Sequence, residues 1–484
     1  MPGVVVTTAV RTGPTTDTVN ASSTFFVVGT ASRGPVDEAR LITGIADFEI
    51  LYGEYSATHT LYSHVKTYFE EGGSRAYVSR VVGASATAGF LVDGDLTFTA
   101  ANPGSWSSDV EVAVTPVATG GFRVKVYFTD ANEVTSLVYS SGIVYTTTEA
   151  VNAVTQSATA SAYIVLTTDN DDANLVEVTQ EALSAGANGN AVVEADLIDG
   201  LDLFLSNLGA GSVAMPGQYG DTVYDALIAH AVENNRVAIL AVDPSNTTVE
   251  DAINDTETYI ESVVNGEYAG MYYPHVTIPG PGGTTLTISP ESYVAAKRAV
   301  AHNRTGAWAI GAGLASKASF VNGATVAIST TTGQELDDAK INAIRIIQNS
   351  VRVYGARSLS TDTENFRFIN GRDMLNYIVT EAERRLEDLV FAPIDGRRAV
   401  FGQVESTLIA MLEPLRTAGG LYEAFDAEGV RIDSGYSVVV SDAINPISQL
   451  ADGVVRANVG VRISSISDRI EIQIVKSNLT SSVV

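Results

Sequence analysis

Apolar and polar positions follow two alternating periods along this chain. "STFFVVGTA" (Ser23–Ala31) is a continuous apolar run ended by "SRGP", the pattern of a buried strand. "TLYSHVKTYFEEGG" then puts Leu61, Val65, Tyr68 and Phe69 on one helical face, and Gly72–Gly73 stops it. "RAYVSRVV" follows as a second strand, so strand, helix and strand in this order predict a βαβ unit. From Ala84 to about Leu201 the texture changes. Short alternating runs such as "DVEVAVTPV", "GFRVKVYF", "SLVYSSGIVY" and "AYIVLTTD" are separated by turn residues at hairpin spacing. The βαβ texture then resumes. "DTVYDALIAHAVENN" reads as an amphipathic helix, "RVAILAVDP" as a strand closed by Pro244, and "YAGMYYP" as the next strand. Between those strands a helix places Val249, Ile253, Ile260 and Val264 on one face. Ser289 and Pro290 fit the N-cap and first position of the helix in "PESYVAAKRAVAHNR".

Beyond Arg357 the pattern shifts once more. "RDMLNYIVTEAERRLEDLVF" aligns Leu375, Ile378, Val379, Ala382, Leu386, Leu389 and Val390 on one stripe, with Asn370 placed to cap it and Pro393 just past its end. "QVESTLIAMLEPLRTAGG" is a second amphipathic helix, and "GYSVVVSD" and "ANVGVRISS" are strands. The predicted fold class is therefore multidomain α/β and α+β. A helix-covered mixed sheet forms the core, with an inserted β-rich domain and an extended strand arm at each terminus. The expected boundaries are an arm at 1–20, a middle domain at 21–84 and 202–356, an insertion at 85–201, an inner domain at 357–467 and an arm at 468–484.

The termini raise the functional question. "GVVVTTAV" precedes a Thr/Pro/Gly-rich tether, and in "SDRIEIQIVKSN" Ile470, Ile472 and Ile474 share one face while Arg469, Glu471 and Gln473 share the other. A strand at each end can close onto its own sheet. It can also complete a sheet on a neighbour, and an eight-residue strand reaches roughly 25 Å. Head-to-tail donation of that kind builds rings or helical tubes.

Composition narrows the partners. The chain has 484 residues, 45% of them hydrophobic, so a sizeable core is expected. A net charge of −27 disfavours nucleic acid and anionic lipid as main partners. Ala84–Gly200 carries fifteen acidic residues against two basic ones, a net of −13, whereas Lys340–Arg416 is net +1, with eleven basic and ten acidic residues. No apolar run is long enough for a membrane span, and the N-terminus lacks a signal-peptide pattern, so a cytosolic start is expected. With no cysteine there is no disulfide and no thiolate site.

Catalytic chemistry finds no constellation in the sequence. Of five histidines, only His59 and His64 are close, and their spacing misses the i, i+4 pair a helical metal site needs. "GPGGTTL" and "GAGLASK" match neither a Walker loop nor a dinucleotide fingerprint. Asp243 follows a parallel-type strand, but with Pro244 next to it a turn role is expected. No enzyme activity and no cofactor are expected.

An ordered set of segments resembles the contractile tail sheath proteins of phages and related injection machines. It comprises "PGVVV", "FFVVGTASRGPVDEARLITGIADFEILYG", "LYSHVKTYFEEGGSRAYVSRVV", "NPGSWSSDVEVAV", "YYPHVTIPG", "ISPESYVAAKRAVAHNRTGAWAIGAG", "INAIRIIQNSVRVYGARSLSTD", "FRFINGRDMLNYIVTEAERRLEDLVFAP" and the closing "GYSVVVSDAINP…GVVRANVGVRIS…RIEIQIV". The chain departs from that pattern at His275, where Trp is common, and lacks the Pro-Ala-Glu usual before the last strand. The resemblance implies hexameric rings stacked helically around an inner tail tube protein, with baseplate and tail terminator partners. It implies a place in the virion tail, assembled in the host cytoplasm. It also implies strand exchange through both arms, with Val4, Val6, Thr8 and Val10 forming one face of the donated N-terminal strand. Arg384, Arg385, Arg397 and Arg398 are the expected tube-facing residues; pairing with Glu381, Glu383, Glu387 and Asp388 on their own helix is the alternative. A surface-layer or capsid-like lattice protein is the alternative function.

Overall fold

The computed structural model describes residues 21–468; Val4, Val6, Thr8, Val10, Ile470, Ile472 and Ile474 lie outside them. The chain divides into two compact units, one running to Thr380 and the other from Glu381. The boundary falls within the helix Ile369–Leu386.

The first unit is built on an eight-stranded mixed sheet. Its strand order is Ser350–Tyr354, Ile341–Ile347, Ala269–Tyr273, Arg236–Ala241, Gly211–Ala214, Thr24–Gly29, Ala76–Arg80, Arg40–Ile42. The six inner strands are parallel and only the two edge strands run antiparallel. Parallel strands buried on both faces need apolar residues at successive positions. That is why Thr24–Gly29 and Arg236–Ala241 are buried at every residue. Phe26 and Val28 point into one core with Leu227, Ile228, Ala252 and Tyr259 of the helices Asp221–Glu233 and Val249–Ile260. Phe25 and Val27 point into the other, with Leu61, Val65, Tyr68 and Tyr293 of the helices Leu61–Glu70 and Glu291–Arg304. The expected βαβ unit is present: Thr24–Gly29 pairs in parallel with Ala76–Arg80. From Thr24–Gly29 the chain first adds a strand on one side and later continues on the other at Gly211–Ala214, which makes this pair the topological switch point of the sheet.

Between Arg80 and Gly211 the chain forms two further antiparallel sheets, one of four strands and one of three. They enclose a core of their own around Phe98, Trp106, Val112, Val126 and Ile164. The segments entering and leaving run side by side, tied by Thr87 N–H to Ala187 O at 2.9 Å and Asn190 N–H to Ala84 O at 3.0 Å. A Cβ at Gly83 would stand 1.8 Å from the Asn190 carbonyl oxygen, so the close crossing admits only glycine there. Two arginines fix this region to the main sheet. The Arg33 guanidinium lies 4.6 Å from both the Phe128 and Tyr163 ring centroids, in cation–π range. Buried Arg80 donates to the carbonyls of Ala31, Gly34 and Pro103.

Several local expectations are corrected. Pro290, not Ser289, occupies the N-cap, and the helix starts at Glu291; the Ser289 hydroxyl instead accepts from Gly217 N–H at 3.1 Å. The helix beginning at Val249 stops at Ile260, leaving Val264 exposed. Asn370 sits inside its helix rather than capping it, and the helix ends at Leu386, before Leu389 and Val390. Its buried residues include Asp373, Met374, Asn376 and Ile378, while Val379 is exposed. The polar members find partners: Asp373 accepts from Arg298 at 2.6 Å, and Asn376 donates to the Arg236 carbonyl at 2.9 Å. Satisfied polar contacts therefore chose the face, not the longest apolar stripe.

Candidate functional site

In the second unit the helix Ala399–Thr417 presents one face to a two-stranded ribbon. The ribbon pairs Tyr436–Val439 with Asn458–Val461 in antiparallel register, Val438 opposite Val459. The Tyr436 hydroxyl donates to Glu413 at 2.7 Å, and Glu413 is also held by Arg416. Those hydrogen bonds, from Arg416 first, hold the Glu413 carboxyl down at about 2. A two-stranded ribbon is marginal alone in water. Among the described residues each of its strands pairs with the other and with no third strand, and just past Val461 the chain is bridged by Leu421 to Ile463. Val439 and Val459 are exposed on it, and Phe425, Val430 and Ile432 are exposed on the neighbouring ribbon.

The four arginines expected to face a partner are placed unequally. Arg384 and Arg385 both pair with Glu381, at 2.9 and 3.1 Å. Arg398 pairs with Asp442. Arg397 is exposed, and its guanidinium has no ion pair among the described residues. The acids expected to share the load divide it unevenly: Glu381 takes two arginines because it lies three and four residues before them, in helical reach. Between the helices, Glu387–Arg398 forms a tip on which Phe391 is fully exposed with a backbone φ of +67°. Nothing in the apolar pattern marked Phe391 as exposed, because it continues the stripe of the preceding helix.

His64 and His230 are structural. His64 shares a hydrogen bond with Ser292 at 3.0 Å and His230 contacts Arg236, and burial holds both near 3. Among the described residues no group of three or more His, Cys, Asp or Glu could hold a metal ion. Asp243 makes the expected turn, its carboxylate accepting from Ser245 N–H at 2.7 Å. No described helix is long and apolar enough to cross a membrane.

One buried acid has no ion-pair partner among the described residues. Glu291 lies within the first unit, its Oε2 without a hydrogen-bond partner among the described residues, and burial pushes its carboxyl up to about 7. A raised carboxyl stabilises the fold fully below the ordinary value of 4.5 and loses that contribution as pH rises through about 7. The histidines act oppositely, since their contribution is present above 6.5 and is lost on acidification. Glu291→Gln is therefore expected to gain on the order of 3 kcal/mol over the parent at pH 8.5 and little at pH 4.5. Urea titrations at the two values measure this, and an equal gain at both would refute the assignment.

No family model matches the chain, and no curated relative does. Solved structures do share its fold. The sheath tail protein Lin1278 from Listeria innocua superposes with a TM-score of 0.62 at 18% identity, covering 87% of this chain and 89% of that one. The sheath tail protein DSY3957 from Desulfitobacterium hafniense gives 0.56 at 14% identity over 91% and 94%. The helical sheath of the anti-feeding prophage in its contracted state gives 0.57 at 15% identity over 98% and 99%. The fold described above is thus the fold of tail sheath proteins.

Proposed function

We propose that this chain is the structural subunit of a contractile sheath. Copies polymerise as stacked hexameric rings around an inner tube, hold one another by exchanged strands, and contract to drive the tube through a cell envelope. The observation that carries the reading is the ribbon Tyr436–Val439 with Asn458–Val461, which no third strand joins among the described residues, in a fold shared with sheath proteins. Terminal segments with strand patterning, "GVVVTTAV" and "RIEIQIV", have the length and alternation to complete it from neighbouring copies. Ladder hydrogen bonds persist while tethers swing, so protomers can rotate without separating. Two lattice packings separated by a barrier then suffice for contraction, with no nucleotide and no cofactor. Tube, baseplate and terminator proteins are the partners of such a subunit, which acts in the tail and is not an enzyme.

Negative-stain microscopy of the full chain, and of chains lacking residues 1–20 or 469–484, tests this. Hollow striated tubes are expected from the full chain only, with the truncated chains folded by circular dichroism but dispersed. Flat sheets from the full chain would favour a surface lattice, and dispersed particles would overturn the sheath reading. Tubes from both truncations would remove strand exchange and leave the sheath.

A further inference from the structure

The switch point of the main sheet holds a recess of about 300 Å³. Val28, Val192, Leu197 and Pro216 supply its apolar wall, and Thr60, Gln218 and His59 its polar one. Among the described residues no carboxylate, lysine or arginine lines it. Burial, followed by the charge of Arg80, holds His59 below its ordinary value, so the imidazole is neutral near pH 7. Its Nδ1 is buried with no partner among the described residues. Crevices at the carboxyl ends of parallel strands are where α/β sheets receive ligands. This one is at the bottom of the size range for small-molecule pockets and carries no group to hold an anion or a cation. Its chemistry fits one uncharged side chain, with a main-chain group to meet His59. The bordering helix Glu194–Asp199 is acidic, with Glu194, Asp196 and Asp199 and no basic residue.

The complement of that recess is on the second unit. Phe391 is fully exposed on a loop tip in the left-handed region, a conformation that costs a bulky residue energy in water and returns nothing there. Ile394 beside it is also exposed, and Arg397 on the same tip has no ion pair among the described residues. We infer that the tip Val390–Arg398 of one copy docks on the neighbouring copy of this chain, Phe391 filling the recess and Arg397 facing the acidic helix Glu194–Asp199. The inference rests on the sheath reading and takes Arg397 from the tube to the adjoining protomer. A knob and a recess at different places on the same molecule make a heterologous contact, which propagates into rings or helices rather than closing into a dimer.

The absence of cysteine makes the test direct. Ile394→Cys and Val192→Cys, both keeping Phe391, are made as separate chains of different tag length, mixed, assembled and mildly oxidised. A disulfide joining one copy of each is expected, forming only between molecules, and Glu194→Lys should weaken its formation several-fold. Tubes that assemble with no such disulfide would overturn the docking while the sheath stands. A predominant Ile394→Cys homodisulfide would overturn it too. The mixed disulfide without tubes would uphold the docking and overturn the sheath. As a second measure, Phe391→Ala should cut the sedimentable fraction at least tenfold with an unchanged thermal midpoint; an unchanged fraction counts against the contact.

Discussion

Glu71→Ala should be the most damaging single substitution in the first unit, lowering its stability by about 3–5 kcal/mol. Glu71 follows the helix Leu61–Glu70, where a carboxylate opposes the helix dipole. Its placement is made good by what it holds. Lys297 lies 2.6 Å from it, both side chains being buried. The same carboxylate accepts from the backbone N–H groups of Ser319, Phe320 and Val321 at 2.7–3.1 Å. Alanine would leave a buried ammonium without a counter-charge and three N–H groups without an acceptor. Against a typical total of about 5–15 kcal/mol this is a large fraction. Replacing both partners, as Glu71→Ala with Lys297→Met, should recover part of the loss, because the stranded charge goes with its partner. Urea midpoints of the single and double variants measure the effect; a single variant within about 0.5 kcal/mol of the parent would refute the role.

Arg236→Met should follow closely, at about 3 kcal/mol. Arg236 begins a central strand, is fully buried, and has no ion pair among the described residues. Instead its guanidinium donates to the carbonyls of Phe204, Leu205 and Gly209 at 2.6, 2.7 and 3.1 Å, and it stands 3.7 Å from the Phe26 ring centroid. These carbonyls end the short turns Gly200–Leu203 and Ser206–Leu208, where partial negative charge collects. Burial lowers the arginine to about 9, still charged at neutral pH. Methionine fills much of the volume and satisfies none of the carbonyls. The same variant has a second readout at His230, which burial and then the Arg236 charge hold near 3. With the charge removed, His230 should rise toward its ordinary value, so the stability lost on acidification below pH 6.5 becomes smaller. Stability measured at pH 5 and pH 7.5 distinguishes this from simple loss of packing; an unchanged pH dependence would argue against the contact.

Periodicity located the strands and helices of the first unit because burial on both sheet faces imposes runs such as "RVAIL", and one-sided burial imposes the spacing of Leu61, Val65 and Tyr68. It erred where polar side chains decided the packing. Helix Ile369–Leu386 turned toward Asp373 and Asn376 because Arg298 and the Arg236 carbonyl awaited them, far away in sequence. The arginines at 384, 385 and 398 looked equally available, yet their carboxylates lay within reach of the same chain.

By its order of residues alone, the chain determined a helix-covered sheet, a β-rich stretch between two halves of it, acid charge concentrated in that stretch, and strand-patterned ends. Those follow from local periodicity and composition, which need no knowledge of neighbours. Tertiary structure decided which strands adjoin, hence that Thr24–Gly29 and Gly211–Ala214 flank a switch point and leave a recess there. It also decided that Arg397 has no ion pair among the described residues and that Phe391 is exposed. Strand adjacency, charge pairing and exposure are properties of distances between residues remote in sequence, and folding sets those distances by the total of contacts, not by any one segment.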